Sequence, residues 1–262
     1  MVLIVLALSA SAGNRLILPE GVYYHRFVSN AAGPEAVWIN PAALGQSKVL
    51  CTEYLGEYFE GKFLNSWGAV VSGDGLGISY RHLENIGGNP YNEYTFALGA
   101  ELNRDTYWGA SYKYIKTAAP VFNKRHFWNV GLLINSTPNL ALGMTFSNLN
   151  RGKLDNRRSD FEQIYSLTYK LPQYRVSFSA DMSLSSGQSL KGAEWNYGLE
   201  YDAARGVKLF GVIDHSGNYQ LGLKINFEKY FVGDQSRHNS GSHQTANTAY
   251  IGFMGQSQGP AF

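Results

Sequence analysis

Asp214-His215-Ser216 brings the three groups of a nucleophilic relay, a carboxylate, an imidazole and a hydroxyl, into consecutive positions. The spacing argues against their use. On an extended strand two side chains share a face only when they are two residues apart, so His215 and Ser216 point oppositely, and Gly217-Asn218 marks a turn at a strand end. No catalytic residue is assigned. His238 and His243 lie in a stretch rich in Ser, Asn and Gly, with no Cys, Asp or Glu companion at ligand-like spacing, so neither a metal nor another cofactor is expected.

The elements that would carry these residues are strands. In 262 residues there are 18 Tyr, 14 Phe, 5 Trp and 29 Gly, against only 16% charged residues, a balance of aromatic strands joined by glycine-containing turns. The single Cys51 excludes an intramolecular disulfide framework and reads as a small wall residue. Twenty-two Lys and Arg against 20 Asp and Glu leave a net charge of +2, scattered along the chain, which sets nucleic acid aside as a partner.

From about Ser47 the chain repeats one unit: roughly ten residues of apolar and polar alternation, then a short cluster of Gly, Asn, Asp, Ser or Pro. In Tyr174 to Leu184, the residues Tyr174, Val176, Phe178, Ala180, Met182 and Leu184 take one face, and Arg175, Ser177, Ser179, Asp181 and Ser183 the other. Tyr94 to Leu102 and Tyr219 to Glu228 split in the same way. Such polar rows have no place in a soluble barrel's dry core, whereas a polar lumen inside an apolar outer band accommodates them. The expected fold is all-β: a transmembrane antiparallel up-and-down β-barrel of about 12–14 strands.

Thirteen segments match the pattern, beginning near residues 47, 63, 75, 94, 106, 127, 140, 161, 174, 195, 207, 219 and 248, and closure favours an even number of strands. Aromatic residues cluster at segment ends, as two lipid interfaces require. Turns are short at Ser72–Gly75, Asn103–Asp105 and Ser216–Asn218. Longer polar stretches span Lys116–Lys124, Asn150–Asp160, Ser185–Ala193 and Val232–Thr245, the expected alternation of periplasmic turns and external loops.

The polar face supplies candidate lumenal residues: Glu101, Lys113, Arg175, Asp181, Glu200, Lys224 and Glu228, with Lys170 and Asp202 beside them. Mixed signs favour closure by salt bridges over selection of one solute charge. Arg151, Lys153, Arg157 and Arg158 form the densest basic cluster; on an external loop they would pair with the phosphates of lipopolysaccharide or stand solvated.

Val2 to Leu8 is an uninterrupted apolar run followed by Ser9-Ala10-Ser11-Ala12-Gly13, the pattern of a signal peptide over 1–12 cleaved after Ala12. No positive n-region precedes it, and a buried strand is the alternative reading. No other stretch approaches the ~20 apolar residues of a spanning helix. Residues 13–46 then precede a barrel over 47–262.

Within that N-terminal stretch lies Ile39-Asn40-Pro41-Ala42-Ala43-Leu44-Gly45. Asn-Pro starts a turn, Pro41 cannot continue a ladder, and Ala42 and Ala43 permit close approach to a wall. This motif resembles the N-terminal Asn-Pro-Ala motif of the outer-membrane fatty-acid transporter family (FadL, also called OmpP1 or toluene-transport type), and equally that of the related PorV and PorQ secretion proteins. The resemblance implies a bacterial outer-membrane barrel whose small N-terminal segment, residues 13–46, enters the lumen as a hatch. It implies passage or binding of a hydrophobic small molecule, or alternatively a non-conducting secretion or envelope-assembly barrel that binds protein partners. No family ligand residue carries over, and the chain is short for the fatty-acid transporters.

Overall fold

The computed structural model describes residues 27–59, 62–86, 89–117, 124–151, 153–154, 157–158, 161–240 and 245–255. The proposed signal peptide lies outside them. The strands are β1 Cys51–Phe59, β2 Lys62–Gly73, β3 Leu76–Ile86, β4 Asn89–Asn103, β5 Thr106–Thr117, β6 Arg125–Thr137, β7 Leu140–Ser147 and a two-residue pair, β8 Lys153–Leu154 with β9 Arg157–Arg158. There follow β10 Glu162–Leu171, β11 Val176–Ser185, β12 Glu194–Ala204, β13 Val207–Asp214, β14 Tyr219–Phe227, β15 Tyr230–His238 and β16 Thr245–Met254.

All but β8 and β9 form one closed antiparallel barrel of fourteen strands in chain order. Closure comes from β1 pairing with β16, from Cys51 opposite Met254 to Tyr58 opposite Asn247. A closed cylinder leaves no strand edge to satisfy elsewhere, the condition for a sheet in hydrocarbon.

The period-2 pattern places side chains as expected on most strands. Ile78, Phe96, Leu98, Phe178, Leu199, Leu209 and Leu221 stand exposed on the outer wall, while Ser79, Arg81, Glu93, Thr95, Ser166, Thr168 and Asp181 are buried inside. An outer surface of exposed Leu, Ile and Phe suits hydrocarbon and not water. Rings gather near the strand ends, with Tyr112 tilted on Trp128 at 5.0 Å and Tyr230 on Phe253 at 5.6 Å.

One strand is missing from the thirteen read in the sequence. β15 falls in the stretch taken as the start of a long loop, Val232–Thr245, because its alternation is broken: Phe231 and Gly233 face inward with Gln235 and Arg237, and Asp234, Ser236 and His238 face outward with Tyr230 and Val232. A second correction concerns the hairpins. The connections 74–75, 104–105, 138–139, 172–175, 205–206 and 228–229 share one end, and 118–124, 148–161, 186–193 and 239–244 share the other. The short Ser216–Asn218 turn lies at this loop end, not with the other short turns. Before Asn40 the described residues form no strand.

Candidate functional site

The stretch from Phe27 to Gln46 lies inside the barrel. Ala36–Ile39 makes a single helical turn, α1, and Pro41–Gln46 a turn of 3-10 helix, with Asn40 between them in an extended conformation. Proline at the first helical position costs no hydrogen bond, and the extended Asn40 backbone is what the residue before a proline prefers. The Asn40 side chain is fully engaged. Its Nδ2 donates to the carbonyls of Val28 (2.9 Å) and Leu132 (3.3 Å), and its Oδ1 accepts from the Ala42 N–H at 3.1 Å. One amide therefore ties the hatch to itself and to the wall of β6.

What lets the backbone lie so close is a row of inward glycines. Gly99, Gly109 and Gly131 face one another across β4, β5 and β6. A methyl group on Gly109 would stand 2.5 Å from the Ala42 nitrogen, one on Gly99 would stand 2.7 Å from the Gly45 nitrogen, and one on Gly131 would overlap the Asn40 side-chain oxygen Oδ1. Gly143 on β7 stands in the same relation to Ser29, and Gly77 on β3 to Val37. The Asn-Pro-Ala turn sits on a shelf without side chains.

Beyond the shelf the contacts become polar. The Ser29 hydroxyl lies 2.7 Å from Ser166 Oγ and 2.8 Å from Thr168 Oγ1, and Thr168 lies 2.8 Å from Ser179 Oγ. The inward Ser and Thr residues of β10 and β11 thus meet the hatch instead of water. Towards the loop end an ion triad crosses three strands. Arg81 Nε donates to Glu93 Oε1 at 2.9 Å, and Lys113 Nζ lies 3.3 Å from Glu93 Oε2. Tyr91 and Thr95 add hydroxyl donors to the same carboxylate. Beside the triad Leu55, Leu83, Tyr91, Ile115, Phe127, Phe231 and Tyr250 form an apolar cluster packed against Trp38 of the hatch, with the Arg81 guanidinium 5.4 Å from the Trp38 ring.

The candidate residues fall into four groups. Asn40, Pro41, Ala42, Ala43 and Leu44 are buried between the hatch and the wall, and Gly45 closes on the Ala100 backbone. Lys113, Asp181, Glu200 and Lys224 face the interior: Lys113 in the triad, Asp181 buried on β11, Glu200 paired with Lys208 at 2.7 Å, and Lys224 4.0 Å from the Phe231 ring. Glu101 and Lys170 are on inward positions but exposed at the turn end. Arg175 and Glu228 are corrections: both have left-handed backbones (φ 56 and 53) in turns, because Pro172 ends the preceding strand and the Glu228-Lys229 pair makes a hairpin. Arg175 instead joins Asp202, Arg205, Lys208 and Asn226 around an open cavity of about 330 Å³ at the turn end.

Asp214 ends β13, and His215 and Ser216 form the turn that follows it. The Ser216 hydroxyl lies 3.2 Å from His215 Nε2, contrary to the expectation that they diverge, but Asp214 accepts from the Ser216 and Asn218 N–H groups and leaves the imidazole unsupported. His238 stacks on Tyr219 at 4.9 Å, His243 lies outside the described residues, and among those described no three His, Cys, Asp or Glu side chains converge on a metal position. The β8–β9 pair sets Lys153 opposite Arg158 at the loop end. The glycine shelf and the hydroxyl row are absent from the sequence reading; glycine recurring at inward mid-strand positions is the signal that marks them.

Asn40→Ala removes one donor pair and one acceptor from a buried turn, a loss of about 1–3 kcal/mol concentrated on the hatch. Limited proteolysis should cleave between Phe27 and Gln46 about tenfold faster than in the parent, with the barrel itself intact. Equal cleavage rates would show that Asn40 does not hold the hatch.

No protein-family model matches the sequence, and no curated protein matches it. Solved structures do. The toluene transporter TbuX of Ralstonia pickettii superposes with a TM-score of 0.60 at 11% identity, over 88% of this chain and 96% of that one. The toluene transporter TodX of Pseudomonas putida gives 0.56 at 10% identity, over 87% and 95%. A FadL homologue of Pseudomonas aeruginosa gives 0.53 at 10% identity, over 87% and 95%. At these identities the likeness is one of fold.

Proposed function

We propose that this chain resides in a bacterial outer membrane and passes a hydrophobic small molecule past its N-terminal hatch. The observation that carries the reading is the apolar cluster of Tyr91, Phe127, Phe231 and Tyr250 with Leu55, Leu83 and Ile115, closed on one side by Trp38 of the hatch. A diffusion pore for polar solutes surrounds its constriction with charge; here rings stand inside the barrel, and the Arg81–Glu93–Lys113 and Glu200–Lys208 charges are paired to each other. An apolar solute can exchange for ring contacts at little desolvation cost, whereas a sugar or ion cannot. The fold shared with TbuX and TodX, described as toluene transporters, supports the same direction. In this reading the Val2–Leu8 run directs export, and Arg151, Lys153, Arg157 and Arg158 meet lipopolysaccharide phosphates.

The test is uptake by proteoliposomes carrying the purified barrel. Labelled toluene or oleate should enter faster than into protein-free liposomes, while osmotic swelling in arabinose should stay at the protein-free rate. Sugar entry without toluene entry would overturn the hydrophobic route. Entry of neither, with stable co-purification of a secretion complex, would favour the non-conducting barrel that binds protein partners.

A further inference from the structure

The outer wall is apolar around most of its circumference, but not at β15, β16 and β1. Outward positions there hold Asp234 and Ser236 on β15, Asn247 on β16 and Tyr58 on β1, with Ala249 and Gly56 between them. Register makes them neighbours: Ser236 faces Asn247, which faces Tyr58, and Asp234 faces Ala249, which faces Gly56. The Tyr58 hydroxyl donates to Asp234 Oδ2 at 2.8 Å. Among the described residues neither the Asn247 amide nor the Ser236 hydroxyl makes a hydrogen bond.

The depth of this patch makes it unusual. Tyr230, packed on Phe253, marks the aromatic girdle at the turn end, and His238, packed on Tyr219, marks the one at the loop end. Asp234 is four residues from each, which on a strand tilted by ~40° is about 10 Å of depth from either girdle. Exposed Leu221, Ile251 and Tyr54 surround it. A carboxylate thus stands in the middle of the hydrocarbon layer, with a hydroxyl and an amide two residues nearer the loop end, and lipid tails satisfy none of them.

We infer that the occupant of this patch is a second copy of the chain, docked about a two-fold axis on the outer wall of β15, β16 and β1. A two-fold contact requires a surface complementary to itself. This one qualifies: Asp234 retains accepting capacity, Asn247 and Ser236 supply donors, and across the axis each can meet the other's counterpart. A patch of one kind, all acceptors or all donors, would call for a different partner. Gly56 and Ala249 bring the two walls close enough for those short side chains to reach, as small residues do at membrane interfaces. The outward Asp234 and Ser236 of β15 are the sequence record of this contact.

The inference rests on membrane residence, and its test separates the two. The full chain in lipid nanodiscs or mild detergent is examined by native mass spectrometry. A dimer is expected, with Asn247→Leu weakening it about threefold to tenfold. Asp234→Leu should be monomeric yet no less resistant to heat unfolding, since the lone barrel then presents no carboxylate to lipid. Cysteine at Ala249 should cross-link between copies with a short bismaleimide, because native Cys51 is buried inside; cysteine at Leu167, on the far wall, should not. A monomer at all concentrations, or equal cross-linking at both positions, overturns the dimer. A monomer with another protein or a lipid held at the patch overturns it too. A chain soluble without amphiphile would overturn membrane residence itself.

Discussion

Gly109→Val will unseat the hatch and convert a silent barrel into a conducting one. The position on β5 lies beneath the Pro41-Ala42 peptide, and even a methyl group there would stand 2.5 Å from the Ala42 nitrogen and 2.5 Å from the Pro41 oxygen. Both are backbone atoms, so no side-chain rotation relieves the overlap. Nor can β5 retreat, because it is paired to β4 from Thr106 to Thr117 and to β6 from Thr106 to Ile115. Overpacking of this kind costs about 1–3 kcal/mol or more where the surroundings are rigid. The yielding part is the hatch, held by fewer bonds than the ladder. Single-channel recording in planar bilayers should show frequent openings in Gly109→Val and almost none in the parent. The control is Gly211→Ala on β13, where the new methyl meets the end of the Leu221 side chain at 3.3 Å and the Gln220 oxygen at an ordinary 3.8 Å. A silent Gly109→Val variant with a protease-resistant hatch would refute the shelf as the determinant of seating.

Glu93→Leu should be the most destabilising single substitution inside the barrel, by about 3–5 kcal/mol. The carboxylate is 2% exposed and receives Arg81, Lys113, Tyr91 and Thr95. Its removal takes from a buried guanidinium and an ammonium on neighbouring strands the carboxylate they share, and the cost is that of the two desolvated cations more than of the lost pair. The triple change Arg81→Met, Glu93→Leu, Lys113→Met should accordingly restore most of the loss, since apolar groups of similar size replace a desolvated network at little net cost. The urea midpoint of reversible unfolding in detergent or lipid measures both. A shift below about 1 kcal/mol in Glu93→Leu would mean that water reaches the triad.

The barrel was legible because its signal is repetitive. A strand such as Val176–Ser185 declares itself by five alternations, and errors of a residue or two at its ends leave the faces unchanged. β15 escaped because its alternation is broken: a ring inward at Phe231 and an acid outward at Asp234 look like loop when outward positions are assumed to be oily. The Asn-Pro-Ala turn was legible as a turn. Its seat was not, since a glycine shelf is a property of three strands at once, and only the register Gly99, Gly109, Gly131 turns three isolated residues into one surface. The Arg81–Glu93 pair was hidden for the same reason: twelve residues separate them in the chain, and the β3–β4 hairpin makes them adjacent.

The pairing of the first strand with the last also dictates an order of assembly. The tube has no complete circumference until Thr245–Met254 is in place between β15 and β1. The segment from Phe27 to Gln46 lies inside that circumference, so a chain that seats it against the sheet before the seam closes never has to thread it through a finished ring. A chain that stops short of residue 245 would carry its inner segment on an open trough with two raw margins, ready to zip to a neighbour.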